Sequence, residues 1–362
     1  MRPLTFIQPR DVAAAISNIA PSGSAPPGVS AADADGREGS RCIAGGTNLI
    51  DLMKEGVMNP PRLVDVNALP LAAIEAGPGG GLRLGALARN ADTAYHPLVR
   101  QGYPLLSAAI LAGASPQIRN MASNGGNLLQ RTRCIYFYDV AMPCNKRAPG
   151  SGCSAIGGIT KQHAILGASE HCIATHPSDM CVALAALEAV VHVQSGGGSR
   201  EIAFADFHRL PGAQPHLDTT LAQGELITHI TLPPSPRFAP HSAYLKLRER
   251  SSYAFALVSV AAALDIGFSG AIRGARIALG GVAHKPWRMP EAEAALEGSK
   301  PDAAAFNRAA DILLAAAVGQ GGNDFKIPMA RNAIVRALEM AAAGTPPDTP
   351  PSPFNPTEQQ HG

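Results

Sequence analysis

The sequence predicts an α+β protein in which a larger mixed region is followed by a smaller layer of strands covered by helices. Three observations carry that prediction. Of the 362 residues, 46% are apolar and 16% charged, against roughly a quarter charged in average soluble proteins, so much of the chain is hidden in cores or against partners. The 37 glycines and 31 prolines favour many turns over the long helices of a bundle. Short β-type runs alternate with short helical periods up to a cluster at Pro233, Pro234, Pro236 and Pro240, and beyond it strands come first and helices after.

Taken in order, Asp11 to Ile19 reads as a helix and Pro21 to Gly36 as a loose surface insertion. Arg41 to Ala44 is a strand that meets a glycine pair and then a helix over Asn48 to Lys54, stopped at Gly56. Strands are predicted at Arg62 to Val66, Ala72 to Ala76 and Leu82 to Leu84, and a helix at Tyr103 to Ala112. From Leu128 to His176 there is little period. So long a structureless stretch inside a compact domain is usually functional or metal-bound.

A helix follows at Asp179 to Val190, started by Pro177 or Ser178, then strands at Val190 to Val193, Arg200 to Phe204 and Leu226 to Leu232. After the prolines, strands are predicted at Ala243 to Leu247, Phe255 to Asp265 and Ala275 to Leu279, and helices at Glu291 to Leu296, Ala303 to Val318 and Pro328 to Ala342. The expected division is a first domain over 1–235, split near residue 58 and carrying an insertion at about 128–176; a second over 236–343; and a Pro-rich tail over 344–362.

Lys plus Arg number 30 and Asp plus Glu 28, a net charge of +2, too balanced for the basic stripe that nucleic acid requires. The first twenty residues lack the apolar run and cleavage site of a signal peptide. No run approaches the 18 or so apolar residues of a membrane span.

Ile43-Ala44-Gly45-Gly46-Thr47-Asn48-Leu49 puts two glycines where a strand turns into a helix. Such a turn lets backbone amides converge on phosphate oxygens. It is neither a Walker loop nor a Rossmann fingerprint. Ser123-Asn124-Gly125-Gly126-Asn127 repeats the recipe about eighty residues later. Together the two could clamp one pyrophosphate with amide dipoles alone; the plainer reading is two unrelated turns.

Six cysteines are too few for a disulfide framework, yet Cys134, Cys144, Cys153 and Cys172 fall within 39 positions. No Cys-x-x-Cys pair exists, which disfavours zinc ribbons and thioredoxin-like sites. The wide spacings suit an iron-sulfur cube; two disulfides or unrelated thiols are the alternatives. Arg131, Arg133, Lys146, Arg147 and Lys161 face a single local acid, Asp139, a surplus that would offset thiolate charge. Glycines at 150, 152, 157 and 158 could let amides approach the sulfurs. Cys42 and Cys181 read as small buried hydrophobes, with Cys181 a reserve ligand. His163 and His171 are possible neighbours of a cluster.

The set AGGTNLI (44 to 50), PQIRNMASNGGN (116 to 127), HPSD (176 to 179), AYLKLRER (243 to 250) and RIALGGVAHKPWR (276 to 288) resembles the FAD-binding medium subunits of molybdenum hydroxylases, the xanthine dehydrogenase and carbon monoxide dehydrogenase type. The resemblance runs from about Phe6 to Ala342. It implies a two-part FAD-binding domain of the vanillyl-alcohol-oxidase type plus a C-terminal α+β domain. In most such proteins the Gly-Gly-Asn loop leads quickly into the Ser-Asp helix, whereas here 49 residues separate Asn127 from Pro177 and contain all four clustered cysteines. That insert is similar to the subgroup with a 4Fe-4S cluster: the flavin subunits of 4-hydroxybenzoyl-CoA reductase and, above all, of bacterial periplasmic aldehyde oxidoreductase.

The resemblance implies that Ile43, Ala44, Gly45, Gly46, Thr47, Asn48 and Leu49 hold FAD, with Ala114, Ser123, Gly126 and Asn127 completing the clamp. His176, Ser178 and Asp179 would follow, Asp179 accepting from ribityl or ribose hydroxyls, though a helix cap is its plain reading. Ile227 would pack on the isoalloxazine and Lys246 would lie near it. Cys134, Cys144, Cys153 and Cys172 would ligate the cluster, and no residue is expected to act as acid or nucleophile. The implied role is an oxidoreductase subunit that passes electrons from a molybdenum centre to an external acceptor, alongside a 2Fe-2S subunit and a molybdenum-cofactor subunit. The implied location is the periplasm, reached with a signal-bearing partner, or else the cytoplasm. A stand-alone flavin dehydrogenase and a zinc- or nucleotide-binding scaffold are the rivals.

Overall fold

The computed structural model describes residues 3–20 and 39–346. The expected surface insertion at Pro21 to Gly36 and the tail beyond Pro346 lie outside the described residues. Among the described residues there are three sheets.

The first is parallel, in the order β1 (Thr5–Ile7), β3 (Arg62–Asp65), β2 (Ser40–Ile43), with helices α1 (Val12–Ile19) and α2 (Leu49–Lys54). The Asp11 side chain caps α1 by accepting from the Ala14 amide at 2.7 Å. Ala15, Ile16 and Ile19 on its inner face bury against Val64 and Val66. Strand β1 has no alternation to announce it and owes its existence to pairing with β3.

The second sheet is antiparallel, in the order β4 (Ile74–Ala76), β5 (Leu82–Gly85), β8 (Leu226–Leu232), β6 (Val190–Ser195), β7 (Gly198–Ala203). Between β5 and β6 run the short helices α3 (Asn90–Tyr95), α4 (Pro97–Gly102), α5 (Pro104–Ala112), α6 (Pro116–Met121), α7 (Asn124–Leu128) and α8 (Ile135–Tyr138), then α9 (Asp179–Ala186); α10 (Phe204–Phe207) follows β7. Helix α9 stops at Ala186, short of the expected Val190, because Glu188 takes a positive φ of 55° and the chain turns into β6.

The third sheet, β11 (Ile272–Gly280), β10 (Val258–Ile266), β9 (Ser242–Leu247), is antiparallel and covered by α11 (Pro290–Ala294), α12 (Ala303–Leu313) and α13 (Lys326–Ala342). Side chains alternate across a strand, so Val258, Val260, Ala262 and Leu264 of β10 enter the core beneath the helices while Ala261 and Ala263 face the central core. Those alanines let α9, buried at every residue, lie between the second and third sheets. Helix α12 ends at Leu313 rather than the expected Val318, because the Val318 amide instead donates to Ile165 O of the cysteine segment at 2.8 Å.

Candidate functional site

The two glycine loops meet. A Cβ placed on Gly45 would lie 1.9 Å from Met121 O, and Gly46 holds a positive φ of 70°. The second loop is not the expected turn: Ser123 caps the short α7, accepting from the Gly126 amide, and Gly125 and Gly126 are helical. A buried amide network fixes it from below. The Asn124 side-chain oxygen accepts from Asn90 and Thr93, and the Asn127 amide donates to Asn90 Oδ1 at 2.6 Å.

Between the loops opens a cavity of about 900 Å³, lined by Ile43 to Leu49, Ala114, Ser123, Gly126, Asn127, Asp179 and Lys246. That size suits a large cofactor. Two observations fit the predicted dinucleotide: the glycine turn, where a side chain at Gly45 would force the two cavity-lining loops apart, and Asn48 Nδ2, a buried donor without a partner on the cavity wall. The sequence reading missed the cations. Arg119, Arg131, Arg133 and Arg250 also line the cavity, each held by an acceptor of the protein.

Three predicted residues stand elsewhere. Ile227 on β8 is buried in the central core, away from the cavity. Ser178 caps α9 and donates to Asn127 Oδ1 at 2.6 Å, so it ties α9 to the second glycine loop instead of facing the cavity. His176 lines a neighbouring smaller cavity together with Cys134 and His163. Asp179 and Lys246 reach the main cavity as a pair 2.8 Å apart, and Tyr244 donates to the other Asp179 oxygen at 2.7 Å. The Lys246 charge is therefore neutralised by Asp179, and that carboxylate is more than a helix cap.

Residues 128–176 wrap a second centre. All four clustered cysteines line one small cavity with Thr132, Tyr136, Phe137 and Pro143, and all are free thiols. Backbone pairing brings Cys144 opposite Cys153. The Cys172 thiol donates to Cys153, which with nearby amides lowers the Cys153 thiol to about 6 and raises that of Cys172. Burial lifts Cys134 to about 11, against the amides of Phe137 and Tyr136. Four sulfurs around one void, approached by amides of residues 136, 137, 155, 156, 173 and 174, fit a thiolate-held cluster.

The expected cationic surplus is mostly taken up by distant acids, though the Lys146 charge still favours the Cys172 thiolate. Arg131 and Lys146 both pair with Asp218, at 2.7 and 2.5 Å, Arg133 with Asp51 and Lys161 with Glu249. Distant acids thus offset most of the local count, leaving Arg147, which bonds to carbonyls, and oriented amides as the main help for thiolates. The glycines do not supply those amides; Gly150, Gly152 and Gly157 shape turns at positive φ.

Of the expected neighbours, His163 puts Nε2 at 3.1 Å from Cys134 Sγ, whereas His171 sits beside Glu170. His284, not anticipated because it lies 112 residues from Cys172, puts Nε2 at 3.3 Å from that sulfur. Cys181 does not join the four; it lies with His176 and His208, and burial raises its thiol to about 12.

Residues 27–235 match the family model of the FAD binding domain in molybdopterin dehydrogenase, and residues 242–341 that of the CO dehydrogenase flavoprotein C-terminal domain. The chain is 53% identical to the aldehyde oxidoreductase FAD-binding subunit PaoB of Escherichia coli, over 84% of this chain and 92% of that protein. It is 27% identical to the glyceraldehyde dehydrogenase medium chain of Sulfolobus acidocaldarius, over 74% and 76%. Among solved structures, reconstituted CO dehydrogenase from Oligotropha carboxidovorans matches in fold with a TM-score of 0.70 at 24% identity, covering 95% of this chain and 100% of that one.

Proposed function

The chain belongs to the FAD-binding subunits of the molybdopterin dehydrogenases, and from that premise we propose that it is the electron-transfer subunit of a heterotrimeric molybdenum aldehyde oxidoreductase that also carries a 4Fe-4S cluster. One observation supports this above the others: four free thiols face a single void within the same insertion that reaches the cofactor cavity through Arg131 and Arg133. FAD supplies the redox chemistry, accepting electrons singly or in pairs and releasing them.

The chain's own residues bind and orient. Amides of the Gly45-Gly46 turn would hold the diphosphate and Asn48 Nδ2 would add a donor, whereas the amides of Asn124 to Asn127 already donate within the protein, so the second loop would serve as a wall. Asp179, oriented by Tyr244 and Lys246, offers carboxylate oxygens to cofactor hydroxyls. Cys134, Cys144, Cys153 and Cys172 would hold one iron each. In the proposed complex, aldehyde is oxidised on a molybdenum-cofactor subunit, electrons arrive through a 2Fe-2S subunit, and an external acceptor takes them from this chain. The relative named an aldehyde oxidoreductase supports the substrate class. The periplasm is the proposed compartment, on the likeness of the cysteine insert; cell fractionation decides between it and the cytoplasm.

The test is chemical analysis of the complex purified anaerobically. Four irons and four labile sulfides per complex beyond those of the 2Fe-2S subunit, with a visible flavin spectrum, are expected. Flavin with zinc and no iron beyond that of the 2Fe-2S subunit would leave the FAD subunit standing and remove the cluster.

A further inference from the structure

Two imidazoles flank the cysteine cavity. His163 Nε2 lies 3.1 Å from Cys134 Sγ and His284 Nε2 lies 3.3 Å from Cys172 Sγ. Both residues are buried, and in each ring the other nitrogen, Nδ1, has no partner. A neutral imidazole carries one N–H and one bare lone pair. A buried N–H without an acceptor is rarer in folded proteins than an unused acceptor. The proton therefore sits on Nε2, facing sulfur; moving it to Nδ1, or adding a second one there, would orphan a buried donor.

Both rings are held in place by the C-terminal domain. The His163 carbonyl accepts from Lys326 Nζ at 2.9 Å and from Asn323 Nδ2 at 3.0 Å, at the start of α13. His284 follows β11, and its neighbour Ala283 accepts the His176 amide at 2.9 Å. One contact thus comes from within the cysteine segment and the other from the C-terminal domain, onto two different sulfurs.

We propose that His163 and His284 are positioning residues of the cluster site, each donating Nε2–H to a thiolate ligand and together making the cluster easier to reduce. The proposal rests on the cluster reading above. Reduction adds one negative charge to the cluster and its thiolates while neither ring gains or loses a proton. An N–H aimed at sulfur stabilises that added charge more than it stabilises the oxidised form.

The experiment uses the intact complex with ¹⁵N-labelled histidine, reduced by irradiation in the frozen state and read by pulsed electron paramagnetic resonance. Expected are weak couplings from two histidine nitrogens and exchangeable protons that vanish in D₂O. His163→Leu and His284→Leu are expected to move half-reduction to more negative potential, the double variant further. His163→Gln and His284→Gln, which keep an N–H, should recover part of the shift, and they carry the comparison where a leucine variant loses iron. An iron-replete wild type without histidine coupling, or leucine variants with unshifted potential, would overturn the proposal and leave the cluster reading intact. A wild type with no iron beyond that of the 2Fe-2S subunit would overturn the cluster reading itself, and this proposal with it.

Discussion

Replacing Gly45 with alanine tests the cofactor clamp at its tightest point. The new Cβ would lie 1.9 Å from Met121 O and 2.6 Å from its carbonyl carbon, where ordinary contact begins at 3.4 Å. The loops must separate by about 1.5 Å, and the obstacle is backbone, which has no rotamer to give. That backbone is itself pinned: Met121 O accepts from Arg89 at 2.8 Å and Ala122 O from the Asn90 amide at 2.8 Å. Forcing a methyl into so close a contact costs about 1–3 kcal/mol. At about 1.4 kcal/mol per tenfold, FAD binding weakens by about 5- to 150-fold if the strain falls on the bound state. If it falls on the fold, the melting temperature of the apoprotein drops instead.

The assay is flavin titration of the deflavinated complex followed by fluorescence, with thermal unfolding run in parallel. Gly102→Ala, with open space around its Cβ, is the control. Wild-type affinity together with a wild-type melting temperature in the Gly45 variant would refute the idea that the two loops act as one clamp.

Cys144→Ser and Cys153→Ser should each lose most of their iron and melt earlier, because the insertion loses its organising ligand; iron content unchanged in both would contradict the cage. Burial opposes ionisation of Asp218, but Lys146 and Arg131 outweigh it and hold its carboxyl well below the usual range. Its stabilisation is therefore complete above about pH 4 and disappears as pH falls through the depressed range. Asp218→Asn, which leaves Lys146 buried without its counter-ion, should cost about 3 kcal/mol at neutral pH in urea unfolding, and its curve should converge with wild type in acid. Equal stability at pH 7 would sink that account. Burial lowers His208 to about 4. The unfolded chain takes up its proton near 6.5, so this residue removes stability as pH falls from about 6.5 to about 4, by at most about 3 kcal/mol. His208→Gln, able to keep the bond to Leu128 O, should show a shallower pH dependence, and an identical slope would speak against it.

Periodic segments with strong ends were legible in the sequence. Helix α1 has its Asp11 cap, α9 its Ser178 cap, and the strands of the third sheet their apolar runs. The glycine loops and the cysteine crowding were legible too, because those residue types are rarely placed close together without a backbone or ligand reason. Whatever depends on distant partners stayed hidden. Nothing local in Arg131 or Lys146 points to Asp218, some seventy to ninety residues on, and nothing in β8 shows that Ile227 turns inward to the core. His284 escaped because its sulfur partner is in another domain. The Asp179 reading as a plain cap was local; Tyr244 and Lys246 come from β9, across the interior.

The cross-domain pairing has a consequence for how such a loop is gained or deleted over evolutionary time. Cutting out residues 129–175 would take Arg131, Arg133, Lys146 and Lys161 with it, and so remove these ion pairs of Asp218, Asp51 and Glu249. Asp218 would be hit hardest, having lost both of its cations in a mostly dry setting. Loss of the loop therefore weakens the case for an acid at position 218, and its gain strengthens it. The loop and that single aspartate are thus tied energetically, although more than forty residues of sequence lie between the loop's end and the aspartate.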